Sequence, residues 1–288
     1  MKKEELSGRD FSTISPSAKW IMLMRGHTNI PYAQQAVESA KIELYFNSSN
    51  PVFWARTLHF ESRYKSIDQL LNGLEVKNIL ELASGFSFRG LDFATRKDVY
   101  YIDTDLPNVV VQKDSILENL QNNKSGTQGT YALFPLNALN KNDFNQIVSR
   151  FPVGEIAIIN EGLLMYLDTT EKQHLCKIIR EVLRERGGYW IVADIYRKFY
   201  NTDKHIELTD EKTAAFLNEH NVEKNQFESF ESAEAFFKEM GFVIDEEANV
   251  DYNTLSSLEN LIKNSSPEDL QKMKSVGKFQ TTWRLRLA

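Results

Sequence analysis

The stretch that decides the fold is Asn78-Ile-Leu-Glu-Leu-Ala-Ser-Gly-Phe-Ser-Phe-Arg-Gly90. A short apolar run, NILELA over 78–83, gives way to the small-residue turn Ala83-Ser84-Gly85 and then to a helix predicted over Phe88–Arg96. A strand that is apolar throughout is one buried on both faces, which implies a parallel sheet with helices on each side. Working outward, the alternation repeats. Strands predicted over Val99–Thr104, Tyr131–Phe134, Glu155–Asn160 and Tyr189–Ile195 are separated by helices over Asn108–Asn122, Asn140–Ser149 and Thr170–Arg186. The last helix carries Leu175, Ile178, Ile179, Val182 and Leu183 on one face, with Asp168 or Thr169 to start it and Gly187-Gly188 to end it.

On either side of this core the pattern changes. The first seventy-odd residues read as helical: one helix with Pro16 in its first turn running to Gly26, then Ala33–Tyr45 and Phe53–Leu71, closed by Gly73. Downstream, Phe236, Phe237 and Met240 mark a helix face, Phe242–Ile244 a sixth strand, and Thr281–Leu287 (TTWRLRL) a seventh. The polar–apolar alternation of that last strand suits an antiparallel, half-exposed position. The expected architecture is therefore α/β, a doubly wound and mostly parallel seven-stranded sheet. An N-terminal helical lid occupies residues 1–75, the sheet domain 76–288, and a helical insertion about 249–278. Asn122–Gly129 reads as a loop, and neither repeats nor low-complexity segments are found.

Composition narrows the class without naming a function. Of 288 residues 42% are hydrophobic, too many for a disordered chain, and 34 basic against 40 acidic side chains leave a net charge of −6. That balance argues against nucleic acid or an anionic membrane as partner. The single Cys176 excludes an internal disulfide framework and a cysteine metal cluster. The N-terminus lacks the apolar stretch of a secretory signal, and the longest apolar runs fall short of a membrane span, so a cytoplasmic protein is the expectation. His27, His59, His174, His205 and His220 make no metal-ligand spacing and His174 is expected on an exposed helix face. No serine sits in a nucleophile elbow. Lys2-Lys3 and Arg184-Glu-Arg186 read as solvated surface charge.

The chemistry belongs at the carboxyl ends of the strands. Ala83, Ser84 and Gly85 leave room for backbone to approach a nucleotide-sized ligand. With glycine only at 85 and 90, the G-x-G-x-x-G fingerprint is missing, which disfavours NAD. About twenty residues further on, Asp103 and Asp105 close the second strand, where a carboxylate takes hydrogen bonds from ribose hydroxyls. Glu161 ends the fourth strand beside the same crevice. A carboxylate there needs a cationic partner, either an arginine or an ammonium or sulfonium ligand.

Three motifs in this order and spacing, Leu82-Ala-Ser-Gly85, Asp103-Thr-Asp-Leu-Pro107 trailing to Lys113, and Glu161-Gly-Leu-Leu-Met-Tyr-Leu167, resemble the leucine carboxyl methyltransferase family, which includes polyketide-type bacterial O-methyltransferases. The resemblance spans roughly residues 15–195 and implies a class I fold with S-adenosylmethionine as cofactor and no metal. Position by position it implies Lys19, ahead of Gly26, as the N-terminal cation, and Arg63 as the holder of the cofactor's carboxylate. It further implies Asp105 at the ribose, Asn137 and Ala138 at the adenine, and Glu161 facing the methionine moiety. Ala83 stands where the family has glycine, and Asn137 where it has Asp. The expected function is O-methyl transfer to a small molecule or a carboxylate. Alternatives are a non-catalytic S-adenosylmethionine-binding protein and a nucleotide-dependent oxidoreductase. A carboxylate acceptor needs no base, whereas a phenol benefits from one; Tyr166 is the candidate for contact with the acceptor.

Overall fold

The computed structural model describes residues 15–41, 49–121, 128–198 and 211–288. Three helices come first, α1 (Ser15–Arg25), α2 (Ala33–Ala40) and α3 (Pro51–Asn72). Asn50 caps α3 through its side chain, and Pro51 occupies its first position. Strands and helices then alternate: β1 (Asn78–Leu82), α4 (Arg89–Phe93), β2 (Tyr100–Asp105), α5 (Pro107–Gln121), β3 (Thr130–Pro135), α6 (Lys141–Val148), β4 (Ile156–Asn160), α7 (Thr169–Arg186) and β5 (Gly188–Tyr196). The chain closes with α8 (Glu211–Glu219), α9 (Val222–Asn225), α10 (Phe230–Glu239), β6 (Phe242–Glu247), α11 (Leu258–Lys263), α12 (Pro267–Ser275) and β7 (Gln280–Leu287). The predicted strands agree with these to within a few residues, because each is an apolar run bounded by polar or small residues. The predicted Ala33–Tyr45 helix is described only to Ala40, the rest lying outside the described residues, as do Lys2-Lys3 and most of the 122–129 loop.

The seven strands order as β3-β2-β1-β4-β5-β7-β6. Every pairing among the first five is parallel, and β7 runs antiparallel to both β5 and β6. Successive side chains along each strand point to opposite faces of the sheet, as the pleat requires. Ile156, Ile158, Trp190 and Val192 face one layer with Phe144, Leu175, Ile179 and Phe237. Ala157, Ile159, Ile191 and Ala193 face the other, against Ile67, Leu70 and Leu71 of α3 and Phe93 of α4. Gly188 is required where β5 starts, since at φ +101° a Cβ there would sit 2.1 Å from the Ile156 carbonyl oxygen.

The C-terminal half of α3 is thus part of the sheet's own cover, so the helical N-terminal region and the sheet share one core. Its first half does something different. Phe53, Trp54 and Leu58 pack with Met24 of α1 and with Leu255 and Leu261 of the insertion. Asp168 starts α7 with a reciprocal capping box to Glu171. Cys176 on that helix is buried against the sheet. His174 is half-buried and bonds the Leu139 carbonyl oxygen at 3.0 Å, correcting its expected exposure. No described helix is long and apolar enough to cross a membrane.

Candidate functional site

Strand order reverses between β1 and β4, and side chains converge above that point. The turn leaving β1 is pinned by its neighbours. Ser84 N–H donates to the Thr104 carbonyl oxygen at 2.9 Å, and Gly85 N–H donates to Asp105 Oδ2 at 2.7 Å. Asp105 Oδ1 accepts from Leu106 N–H, also at 2.7 Å. Burial pushes the Asp105 carboxyl up, and these two amide bonds pull against that rise. Each carboxylate oxygen retains a further lone pair for a hydroxyl donor. Ala83 and Gly85 both lie in the left-handed region, at φ +50° and +52°. A Cβ at 85 would meet Ala18 of α1 at 3.3 Å, so α1 lies directly over the turn.

Beyond the turn is a buried network of charge. Glu161 Oε1 accepts from Arg25 Nη2 and from Arg63 Nε, the latter at 2.8 Å, and Oε2 lies 3.5 Å from Arg89 Nη2. Burial alone would raise this carboxyl; the guanidiniums of Arg25, Arg63 and Arg89 outweigh it and hold Glu161 at about 2. Arg89, fully buried, also pairs with Glu81 at 2.7 Å and Asp68 at 2.8 Å, and stacks over the Tyr64 ring at 3.9 Å. Tyr101 donates to Glu81 at 2.5 Å. Burial raises Glu81 even so. Arg63 donates from Nη1 to the Tyr196 hydroxyl, and that hydroxyl bonds His59 Nε2, both at 2.8 Å. His59 is driven down to about 3, first by burial and then by Arg63. Because the Tyr196 oxygen accepts from Arg63, its own proton is free to be donated to the neutral ring. Arg25 Nε is buried with no hydrogen-bond partner, and burial together with the neighbouring arginines lowers this group. A spare, desolvated donor beside a cation-rich cluster suits an incoming anion.

All this opens into a cavity of about 1640 Å³. One end is walled by Ala83, Ser84, Gly85, Asp105, Asn137 and Ala138, the middle by Arg25, Arg63 and Glu161. The far end is apolar, with Met24, Leu58, Leu258, Leu261, Leu270 and Met273 contributing. Trp20, Tyr252 and Ile262 line the cavity too and are well exposed, at 45%, 51% and 54%, so they mark its mouth.

Most of the residues singled out from the sequence meet at this cavity. Asn137 does so with its Oδ1 accepting from Leu139 N–H at 3.0 Å. Tyr166 is buried in the wall, and its hydroxyl donates to Ser17 Oγ at 3.2 Å. Two do not meet there. Asp103 is sealed beneath the turn, where its Oδ2 accepts from Lys113 Nζ and Tyr131 Oη, both at 2.7 Å. It buttresses the site without facing it: Asp103 lies two residues deeper along β2, on the same side as Asp105, and only the terminal Asp105 reaches the rim. Lys19 is half-buried on α1 but does not line the cavity; Arg25, at the helix's end, does. Arg25, Glu81 and Arg89 were missed. The available signal was an arginine set in the apolar runs IMLMR and FSFRGL, since a buried guanidinium demands acids.

The family model for leucine carboxyl methyltransferase matches residues 14–180. The chain belongs to that family. Its members are S-adenosylmethionine-dependent methyltransferases, and S-adenosylmethionine is their cofactor. No curated protein sequence matches the chain. Among solved structures, a DUF574 family protein from Streptomyces avermitilis MA-4680 is similar at 12% identity and TM-score 0.55, covering 94% of this chain and 97% of that one. A protein from Thermobifida fusca YX, described as a methyltransferase, is similar at 14% identity and TM-score 0.52, covering 93% and 94%. The chain spans only about half of some larger structures it matches, such as 46% of LepI in complex with SAM, at 9% identity, TM-score 0.44 and 78% of this chain covered. At such identities the likeness is one of fold, the class I methyltransferase architecture.

Proposed function

We propose that the protein is an S-adenosylmethionine-dependent O-methyltransferase acting on a small molecule or a carboxylate. The observation that carries this reading is the continuity of the cavity. Its polar end joins a small turn, an acid at a strand tip and a cation-rich cluster; its other end is an apolar chamber open to solvent. In this reading Asp105 takes the ribose, Asn137 and Ala138 flank the adenine, and Gly85 lets the backbone close in. Arg25, with its spare Nε, and Arg63 hold the α-carboxylate, and Glu161 receives the α-amine. When bound, S-adenosylmethionine supplies an electrophilic methyl on a sulfonium.

The chain's own contribution is to bind, align and exclude water. Helix α1 and the first half of α3 act as the lid. The wall favours an acceptor oxygen that is already ionised. Glu161 at about 2 is too weak a base, and His59 at about 3 is weaker than an ordinary imidazole. Tyr166 stays un-ionised because burial raises it. Titration calorimetry with S-adenosylmethionine, its demethylated product and NAD tests the reading: heat with the first two and none with NAD is expected, and silence with the first two overturns it. The Ala83 methyl in the turn favours a second reading, a binder without turnover, and a screen of acceptors against labelled cofactor separates the two.

A further inference from the structure

Glu61 lies on α3 two residues before Arg63, yet its side chain turns away from the cavity. Its carboxylate is fully buried and accepts four hydrogen bonds from two consecutive residues of the insertion. Oε1 takes Ser256 N–H at 2.9 Å and Ser256 Oγ at 2.6 Å; Oε2 takes Ser257 N–H at 2.9 Å and Ser257 Oγ at 2.5 Å. Ser257 is the N-cap of α11, but its hydroxyl makes no capping bond within that helix. Glu61 caps α11 from another element, placing a negative charge at the helix's positive end. Ser256 Oγ meanwhile accepts from Asn29 N–H at 2.9 Å, tying in the segment after α1.

What hangs from this attachment is the far wall of the cavity. Leu258, Leu261 and Ile262 of α11 line it, followed by Leu270 and Met273 of α12. Leu255 and Leu261 pack on Phe53, Trp54 and Leu58 of α3. Helix α11 has six residues, too few to hold its own shape without its tertiary contacts.

We infer that Glu61 is the positioning residue that assembles the apolar chamber, fixing the size and shape of the acceptor compartment while leaving the cofactor end untouched. The inference rests on the proposed reading only in naming that chamber the acceptor side. The chamber calls for an apolar body on the molecule that enters it, such as rings or an acyl chain.

The test uses the full chain and three readouts: hydrogen exchange over residues 255–263, binding of the apolar fluorophore Nile red, and S-adenosylmethionine affinity by calorimetry. Glu61→Gln replaces one carboxylate oxygen with an amide donor, which then faces two of the four donors. Exchange over 255–263 is expected to quicken by about tenfold or more and Nile red to bind about tenfold more weakly. S-adenosylmethionine affinity is expected to hold within about twofold, near the scatter expected between independent sites. Unchanged exchange and dye binding overturn the inference, as does a wild-type chain that leaves Nile red unbound. Equal loss of dye and cofactor also overturns it, since that marks a general structural role. Should Glu61→Gln not fold, Ser256→Ala with Ser257→Ala keeps both backbone bonds and is expected to show the same split, smaller. If the wild-type chain takes no S-adenosylmethionine, the methyltransferase reading fails, while exchange and dye still decide the role of Glu61.

Discussion

The Gly85 amide donates to the Asp105 carboxylate at 2.7 Å, so the floor of the crevice and the tip of the second strand are one unit. Asp105→Ala leaves the Gly85 and Leu106 amides without their acceptor and removes the proposed ribose partner. S-adenosylmethionine affinity is expected to fall by about a hundredfold by calorimetry, with a loss of about 1–3 kcal/mol in urea unfolding. Asp105→Asn, which keeps one carbonyl acceptor, should fall between.

Ala83 holds a left-handed conformation at φ +50° that glycine adopts freely. Ala83→Gly is expected to raise stability by about 0.5 kcal/mol after the entropy of the unfolded glycine is deducted, and to tighten S-adenosylmethionine binding. Ala83→Val, branched in the same conformation, should destabilise by about 2 kcal/mol or more. Thermal melts of the two variants check the sign; equal melting points would discount strain at this turn.

Arg89 is fully buried between Glu81, Asp68 and Glu161. Arg89→Met strands Glu81 and Asp68, while Glu161 keeps Arg25 and Arg63, and is expected to cost about 3–5 kcal/mol in denaturant unfolding. Adding Glu81→Gln should recover part of that loss, because the second change neutralises a charge the first left unpaired.

His59 makes the protein acid-sensitive. Its folded value is near 3 against 6.5 unperturbed, so between these limits the unfolded chain binds a proton that the native one refuses. The stability this confers is complete above about pH 6.5 and drains away as pH falls toward 3. In His59→Gln the slope of unfolding free energy against pH across that window should shrink by close to one proton. An unchanged slope would place the acid sensitivity elsewhere.

The strands were legible because burial on both faces writes itself as unbroken apolar runs, IAIIN and YWIVADI above all. The strand-tip residues Gly85, Asp105 and Glu161 were legible for the related reason that a parallel sheet puts its ends together. Charge pairing between distant elements was not. Nothing in Arg25 announces Glu161, 136 positions later, and nothing in Glu61 announces Ser256 and Ser257. The resemblance implies Lys19 by its place ahead of Gly26, but a helix presents residues by angle, and Arg25 is the α1 cation that reaches Glu161. Asp103 shares its strand and its face with Asp105, and only depth along β2, with Lys113 and Tyr131 closing over the deeper carboxylate, tells them apart.

The 32 residues between Glu247 and Gln280 leave the sheet from β6 and return to it on the adjacent β7. Topologically they are one long hairpin connection, and a connection can lengthen, shorten or change sequence at small entropic cost to the fold it interrupts. The turn at Gly85, Asp105 and Glu161 are encoded elsewhere and do not shift when it does. With the chamber read as the acceptor side, as proposed above, descent with divergence can rewrite this one segment and hand the same chemistry to a new molecule, and a laboratory exchanging the segment between relatives follows the seam that the sheet already provides.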